Sequence, residues 1–255
     1  MALITYPYAE LIGDDLAPDL TPAEKIMAHP SFQFMWLPYD DFSTLDAATR
    51  VSSLASTRGA IAAAQATAGK RPLLSGNQIN GRPCLDFDST RQDLLVGSTT
   101  VDTSGDFSMV AAFRPRSLYD TQVVLNRIYA GVGTDMLGIN YTVSAGVGYV
   151  NIRCGSASSF TAVPINQWYV VVLSKSGTTL KGRINGVPIA PLSFTGAPAV
   201  ITPALGGISA SGTTWSFEGD IALAAAMTSA VLDTGNADLL AAIQDYCRAA
   251  LDLAA

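Results

Sequence analysis

The segment NQWYVVVLSKSGTTLKGRINGVPI, residues Asn166–Ile189, determines the expected fold class. Its runs of β-branched and aromatic residues are typical of strands. A turn is predicted at Ser176-Gly177, between two strands. A second turn is predicted at Asn185-Gly186, because an Asn-Gly pair suits the positive φ angles of a tight hairpin. The segment therefore predicts consecutive antiparallel strands.

The chain on the N-terminal side of this segment has the same character. Four more short runs rich in β-branched and aromatic residues, separated by Gly, Ser, Asp or Pro, are DFSMVAAFRP (Asp106–Pro115), TQVVLNRIYA (Thr121–Ala130), LGINYTVSA (Leu137–Ala145) and GYVNIRCG (Gly148–Gly155). Strands that recur about every 8–12 residues favour a sandwich or barrel over βαβ units.

One long helix is predicted at the end of the chain, over Ala237–Leu253, where apolar residues recur at helical spacing. Thr234 or Asn236 is its expected N-cap, and Cys247 is expected on its inward face.

The beginning of the chain differs from the rest. Four prolines lie close together there, which prevents long regular elements: Pro7, Pro18, Pro22 and Pro30. A short helix is predicted at Ala23–Met27, capped by Thr21, with Pro22 in its first position. We interpret residues 1–33 as a docking arm and residues 34–255 as the sandwich. The expected partner-binding residues of the arm are Tyr6, Tyr8, Leu11 and Ile12.

Composition restricts the function. Hydrophobic residues make up 49% and charged residues 14% of the 255 residues, so the chain is expected to fold around a substantial core. The net charge is −6 and the 15 Lys and Arg residues are scattered, which argues against nucleic-acid binding. No signal peptide and no transmembrane segment are predicted. The three cysteines are widely spaced, so buried thiols are expected instead of disulfides or a zinc site.

Several segments, in order, resemble the concanavalin A-like (laminin-G-like) domains of bacteriophage structural proteins and bacterial surface proteins. They are MWLPYDDFSTLD (Met35–Asp46), RVSSLASTRGAIAAAQATAGKRP (Arg50–Pro72), INGRPCLDFDSTRQDLL (Ile79–Leu95), DFSMVAAFRP, the segment Asn166–Ile189 and FEGDIALAAAMTSAV (Phe217–Val231). The resemblance implies an all-β fold of two antiparallel sheets packed face to face (a jelly roll), with a C-terminal helix. Trp36 and Trp168 would then pack between the sheets or at a sheet edge.

Catalytic residues are hard to find. A glycosidase needs two carboxylates placed together, and Glu218 with Asp220 is the only candidate pair in the sandwich. We expect that pair to face solvent. The single histidine, His29, lies in the arm, in a proline-bounded turn. The sequence therefore predicts that the chain is not an enzyme.

No cofactor is expected. Calcium is the alternative, because it needs only carboxylate and carbonyl oxygens. Two groups of aspartates would have to gather in loops for such a site: Asp40, Asp41 and Asp46, or Asp86, Asp88 and Asp93. The commoner use of such residues is to bond their own backbone in turns.

Two functions remain. The first is a virion structural protein of a tailed bacteriophage (capsid decoration, head-fibre or tail-associated subunit), located in the virion, homo-oligomeric and anchored to capsid or tail subunits by its arm. The alternative is a carbohydrate-binding adhesin that recognises host glycans. Its expected sugar-stacking residues are Tyr119 and Trp215, because each lies in a polar segment, although either aromatic would equally serve to anchor a loop.

Overall fold

The predicted strands, those of Asn166–Ile189 and those that precede it, form two large antiparallel sheets. The computed structural model describes residues 20–58, 61–90, 93–118, 122–127, 136–207 and 215–253. In chain order, the described helices and strands are α1 (Pro22–Ala28), β1 (Phe32–Trp36), β2 (Ser43–Leu45), β3 (Val51–Leu54), β4 (Ala63–Ala64), β5 (Leu73–Ile79), β6 (Arg82–Phe87), β7 (Leu95–Gly97), β8 (Val101–Asp102), β9 (Phe107–Pro115), β10 (Gln122–Arg127), β11 (Leu137–Ser144), β12 (Val147–Cys154), β13 (Ala157–Ala162), β14 (Tyr169–Ser176), β15 (Thr179–Ile184), β16 (Val187–Ser193), β17 (Val200–Ile201), β18 (Pro203–Leu205), β19 (Gly219–Met227) and α2 (Ala237–Leu251). Short 3₁₀ turns lie at Ala68–Lys70 and Thr234–Asn236.

The first sheet has the strand order β16-β15-β14-β9-β19-β6-β5, and β1 also pairs with β19. Its central strands β9 and β19 are buried almost along their whole length. Both faces of these strands are covered, so their sequences are continuous apolar runs without alternation.

The second sheet has the order β13-β12-β11-β10-β18-β7-β4-β3-β2, and β17 pairs with β8 in a small separate ribbon. The predicted hairpin turn is confirmed between β15 and β16, where Asn185 and Gly186 have φ angles of 47° and 79°. The alanine-rich stretch after Ala47 forms β3, β4 and a 3₁₀ turn.

The main core lies between the two sheets. Trp36 is buried in it, stacks on Phe34 with ring centroids 4.1 Å apart, and donates its indole N–H to the Ile61 carbonyl at 2.8 Å. The buried indole thus has the polar partner that it needs. Trp168 is half-buried, under the Arg114 guanidinium at 5.3 Å from the ring centroid.

A second apolar cluster lies on the other side of the first sheet, which both helices cover. The predicted C-terminal helix is confirmed, and its Cys247 thiol is buried against the sheet. Cys84 and Cys154 are buried thiols as well. The helices described are all too short or too polar to cross a membrane.

Helix α1 begins as predicted. Thr21 accepts a hydrogen bond from the Glu24 backbone at 3.3 Å, and the Glu24 carboxylate accepts from the Thr21 backbone at 2.8 Å, with Pro22 in the first turn. This reciprocal cap satisfies backbone donors that have no partner inside the helix. Ile26 of α1 is buried in the cluster with α2, and the proposed boundary at residue 34 falls inside β1.

Candidate functional site

The candidate site is the outer face of β10–β13 in the second sheet. Alternate residues of β11 and β12 point into the core between the sheets, so the residues between them point outward. We call this surface the ladder face. Its outward residues are Asn126, Gly138, Asn140, Tyr149, Asn151, Arg153, Ser158 and Phe160.

A row of amide side chains, which we call the amide ladder, crosses the ladder face from strand to strand. Asn126 Nδ2 donates to Asn140 Oδ1 at 2.9 Å, and Asn140 Nδ2 donates to Asn151 Oδ1 at 3.3 Å. Asn151 Nδ2 then donates to Ser158 Oγ at 2.6 Å and to the Ser159 carbonyl at 3.0 Å. The three asparagines are buried, so this chain of bonds satisfies groups whose burial would otherwise be costly.

Gly138 makes the first step of the ladder sterically feasible. Gly138 is the cross-strand partner of Asn126, and a Cβ atom at position 138 would lie 2.4 Å from Asn126 Cγ. Because the glycine has no side chain, the Asn126 amide lies in that space and reaches Asn140 on the same strand as Gly138. The missing side chain is therefore what permits the ladder to continue from β10 to β11.

Two aromatic rings stand at the open end of the ladder face. Phe160 is 57% exposed and is the cross-strand partner of Asn151. The half-buried ring of Tyr149 meets it edge-on, with centroids 6.4 Å apart and an interplanar angle of 86°. This contact holds the exposed Phe160 ring in one orientation beside fixed amides.

Arg153 lies next to Asn151 on the same face, between its cross-strand partners Gly138 and Ser158. It is half-buried, and its Nε is buried without any hydrogen-bond acceptor. No carboxylate in the described part of the chain forms an ion pair with it. Leaving a buried donor without an acceptor costs roughly 1–3 kcal/mol, so this group needs an explanation.

A contrasting cluster of charges lies on the outer face of the first sheet. Asp220 is fully buried and has Arg114 and Asp86 as cross-strand partners. Arg114 donates to Asp220 Oδ2 from Nε at 2.9 Å and from Nη2 at 2.7 Å, and Arg116 Nη1 donates to Oδ1 at 3.3 Å. Arg116 also forms an ion pair with Asp86.

The prediction that Glu218 and Asp220 both face solvent is therefore wrong for Asp220. Glu218 is half-buried and accepts a hydrogen bond from Ser89 Oγ at 2.7 Å. Burial acts to lower the pKa of Arg116, but its hydrogen bond to Asp86 and the charges of Asp220, Asp86 and Glu218 outweigh it and raise that pKa. Arg116 thus stays charged and compensates the carboxylates.

The predicted site residues have different outcomes. Tyr6, Tyr8, Leu11, Ile12 and Tyr119 lie outside the described residues. Trp215 is half-buried with a φ angle of 64°, and its carbonyl accepts from the backbone of Val123, the cross-strand partner of Asn140.

The aspartates considered for calcium are in turns or ion pairs. Asp46 accepts from the backbone of Ala48 and Arg50 and pairs with Arg71 at 3.0 Å. Asp88 accepts from the Thr90 backbone at 2.8 Å, and Asp93 accepts from the Asp88 backbone at 3.0 Å, while Asp40 and Asp41 are exposed. Within the described ranges, no three His, Cys, Asp or Glu side chains form a metal-like group.

Sequence reasoning did not identify Phe160, Arg153 or the amide ladder. One signal was present: Phe160 is the only aromatic residue in the small polar segment GSASSFTA, residues 155–162. The ladder had a weaker signal, since Asn140 and Asn151 each interrupt an apolar strand. An amide within such a strand must find a partner, but the partner's identity depends on the strand register.

Comparisons with known proteins identify the fold. No protein-family model matches the chain, and no curated protein matches its sequence. A solved structure of Trypanosoma rangeli sialidase with the inhibitor DANA is similar, with a TM-score of 0.56 and 13% identity over 84% of this chain and 33% of that one. The same sialidase in complex with sialic acid gives a TM-score of 0.55 and 15% identity, covering 86% and 34% of the two chains. A heptameric SAP-like pentraxin from Limulus polyphemus gives 0.45 and 14%, covering 58% and 75%.

The predicted concanavalin A-like sandwich of two antiparallel sheets is confirmed. The chain spans about a third of the length of the sialidase chains that it matches, 33% in one case. Identity at this level shows the fold alone.

The prediction that the chain is not an enzyme is wrong, because chains with this fold include sialidases. The exclusion rests on the absence of a paired-carboxylate motif and on the position of the single histidine, His29, in the arm. A shared fold can support catalysis with other residues.

Proposed function

We propose that this chain binds carbohydrate through the ladder face. The observation that carries the proposal is the exposed Phe160 ring, held edge-on by Tyr149 beside the row of bonded amides. A sugar ring has an apolar C–H face and a rim of hydroxyls. An exposed aromatic packs against the first, and the half-buried Ser158 hydroxyl, at the end of the row of amides, exchanges hydrogen bonds with the second.

The ladder face is rigid before any ligand arrives. Asn140 and Asn151 are fixed by hydrogen bonds on both sides, and the aromatic contact with Tyr149 favours one orientation of the Phe160 ring. Groups that are already ordered lose little conformational entropy when a ligand binds, so more of the contact energy is available as affinity.

The comparisons support the same class of ligand. The T. rangeli sialidase structures with this fold contain sialic acid and related sugar analogues. Because the chain spans about a third of those proteins, the support extends to the class of carbohydrates and not to one sugar.

The test is a glycan-binding measurement on wild type and Phe160→Ala, by calorimetry against ligands found on a glycan array. We expect the variant to bind at least about 10-fold more weakly, because an aromatic at the centre of an interface carries much of the energy. Its free energy of unfolding should change by less than about 0.5 kcal/mol, since the ring is exposed.

Val187→Ala is the matched control. Val187 is 66% exposed and lies on β16, at the edge of the first sheet, away from the ladder face. It should bind as wild type does. Equal affinity of wild type and Phe160→Ala for every glycan would contradict the proposal.

The virion-subunit function, with its arm, oligomer and partners, stays a prediction. The structure does change how it should be tested. Truncation must end before Thr21, because Thr21 caps α1 and Ile26 of α1 is buried against α2. Removal of residues 1–19 should abolish incorporation into a virion if that prediction holds, and it should leave glycan binding intact.

A further inference from the structure

We propose that the glycan bound at the ladder face carries an anionic group, a carboxylate or a sulfate, and that Arg153 binds this group. The inference rests on the proposed function and specifies its class of ligand. Its basis is an arginine that is built into the face, half-buried and without a partner of opposite charge among the described residues.

The environment of Arg153 differs from that of Arg71, Arg114 and Arg116. Arg114 and Arg116 both donate to Asp220, and Arg71 pairs with Asp46. Arg153 has no such partner among the described residues, and its Nε is buried without an acceptor. A ligand with acceptor oxygens would supply the missing opposite charge, as carboxylates and sulfate-like groups do at a guanidinium.

The neighbours of Arg153 fit the same ligand. Ser158, its cross-strand partner, accepts from Asn151 and so keeps its own O–H as a donor. Gly138, its partner on β11, has no side chain of its own, and the Asn126 amide occupies the space above it. Phe160 belongs to the next cross-strand pair on the same face, with Asn151, and would contact the sugar ring that carries the anion.

The distribution of charge supports an acidic ligand. The chain contains 21 Asp and Glu residues and has a net charge of −6. The four strands of the ladder face nevertheless contain no Asp or Glu at all, while Arg153 lies in one of them. An acidic sugar therefore meets no like charge from these strands, and repulsion from a like charge would otherwise select against it.

The experiment uses pairs of probes that differ only in the anion. They are 3′-sialyllactose with lactose, trigalacturonate with its methyl ester, and a sulfated galactose disaccharide with the unsulfated one. We expect wild type to bind the acidic member of at least one pair about 10-fold more tightly, with a preference that shrinks at high salt. The carboxylate and sulfate pairs identify which anion is preferred.

Arg153→Gln removes the charge and keeps a polar side chain. It should lose the preference for the acidic probe and retain its affinity for the neutral one. Arg183→Gln, on β15 of the first sheet, is the matched control and should keep the wild-type preference.

Several outcomes would overturn the assignment of Arg153. Equal binding of acidic and neutral probes by wild type would do so, as would an Arg153→Gln variant that keeps the preference. Loss of both kinds of binding in a folded Arg153→Gln protein would show a neutral positioning role instead. In each of these cases the proposed function still stands if Phe160→Ala weakens binding, whereas no binding of any glycan defeats both proposals.

Discussion

The outer faces of the two sheets manage their polar groups in opposite ways. On the first sheet, the helices cover the apolar part, and the buried Asp220 is compensated by Arg114 and Arg116. On the second sheet, the buried amides bond to one another, Phe160 is exposed, and Arg153 forms no ion pair with any described residue. Both faces contain buried polar atoms, so burial alone does not distinguish structure from function.

The difference lies in what remains unsatisfied. A compensated charge cluster is complete without a ligand, and removal of one member costs stability. A face with a buried donor that lacks an acceptor, next to an exposed aromatic ring, has groups that a ligand would contact. The comparison supports the proposal that the second outer face binds a ligand, whereas the charges of the first contribute to stability.

The sharpest test of this assignment is Asp220→Ala. The substitution leaves two guanidinium groups without their shared carboxylate, so we expect a loss of about 3 kcal/mol, because uncompensated charges at buried sites are costly. Urea unfolding measures it. Asp245→Ala is the control, since the Asp245–Arg248 pair is mostly exposed and should contribute less than about 0.5 kcal/mol. A loss of the same small size in both variants would remove the distinction between the two faces.

The next test disrupts the amide ladder by adding a Cβ atom at Gly138. Gly138→Ala places a Cβ where Asn126 Cγ now lies, 2.4 Å away, so Asn126 must move and Asn140 loses its donor. We expect a loss of about 2 kcal/mol by urea unfolding, together with weaker glycan binding.

Gly235→Ala is its control, because a Cβ there would meet nothing within 4 Å. That variant should match wild-type stability or exceed it slightly. If Gly138→Ala also proved neutral, the ladder would not depend on the space at position 138.

The smallest expected effect concerns the buried thiols. Burial raises the pKa of Cys84, Cys154 and Cys247, each to about 12, and nearby Asp220 adds to the effect at Cys84. These groups bind protons more tightly in the folded state, so the unfolded state releases them first as pH rises. The free energy of unfolding should therefore fall by about 1 kcal/mol between pH 7 and pH 9 from the three thiols together.

The measurement is urea unfolding at each pH, on wild type and on Cys247→Ala, whose pH dependence should be weaker. The rate at which each thiol of the native protein is alkylated shows how well the surrounding structure protects it. Cys84 and Cys247 lie beneath the helices, and Cys154 lies between the sheets. Faster reaction of Cys154 than of Cys247 would mean that the helix cover is tighter than the contact between sheets.

The secondary structure was predictable from sequence in several places. The strands β9, β11 and β12, the Asn185-Gly186 turn, the α1 cap and α2 all follow from local patterns. Each depends on residues close in the chain, where turn chemistry, strand propensity and helical spacing act directly. The order of the segments also supported the sandwich, through the resemblance.

The site was not predictable in this way. Tyr119 and Trp215 were chosen because aromatics in polar segments are often exposed, yet the exposed ring of the ladder face is Phe160. Its importance depends on Asn151 and Tyr149 as neighbours, and those contacts follow from the register of β12 with β13. Similarly, nothing near Asp220 in the chain indicates that Arg114 and Arg116 compensate it.

The sequence by itself determined an all-β chain with tight turns, a capped short helix and a terminal amphipathic helix, because these depend on interactions over a few residues. The tertiary structure decided which face is covered and which amides bond to one another. It also decided that Arg153 lies on the same face as Phe160 and forms no ion pair within the described part of the chain. These features depend on side chains far apart in sequence, and only the strand register and the packing of helices on one sheet bring those side chains together.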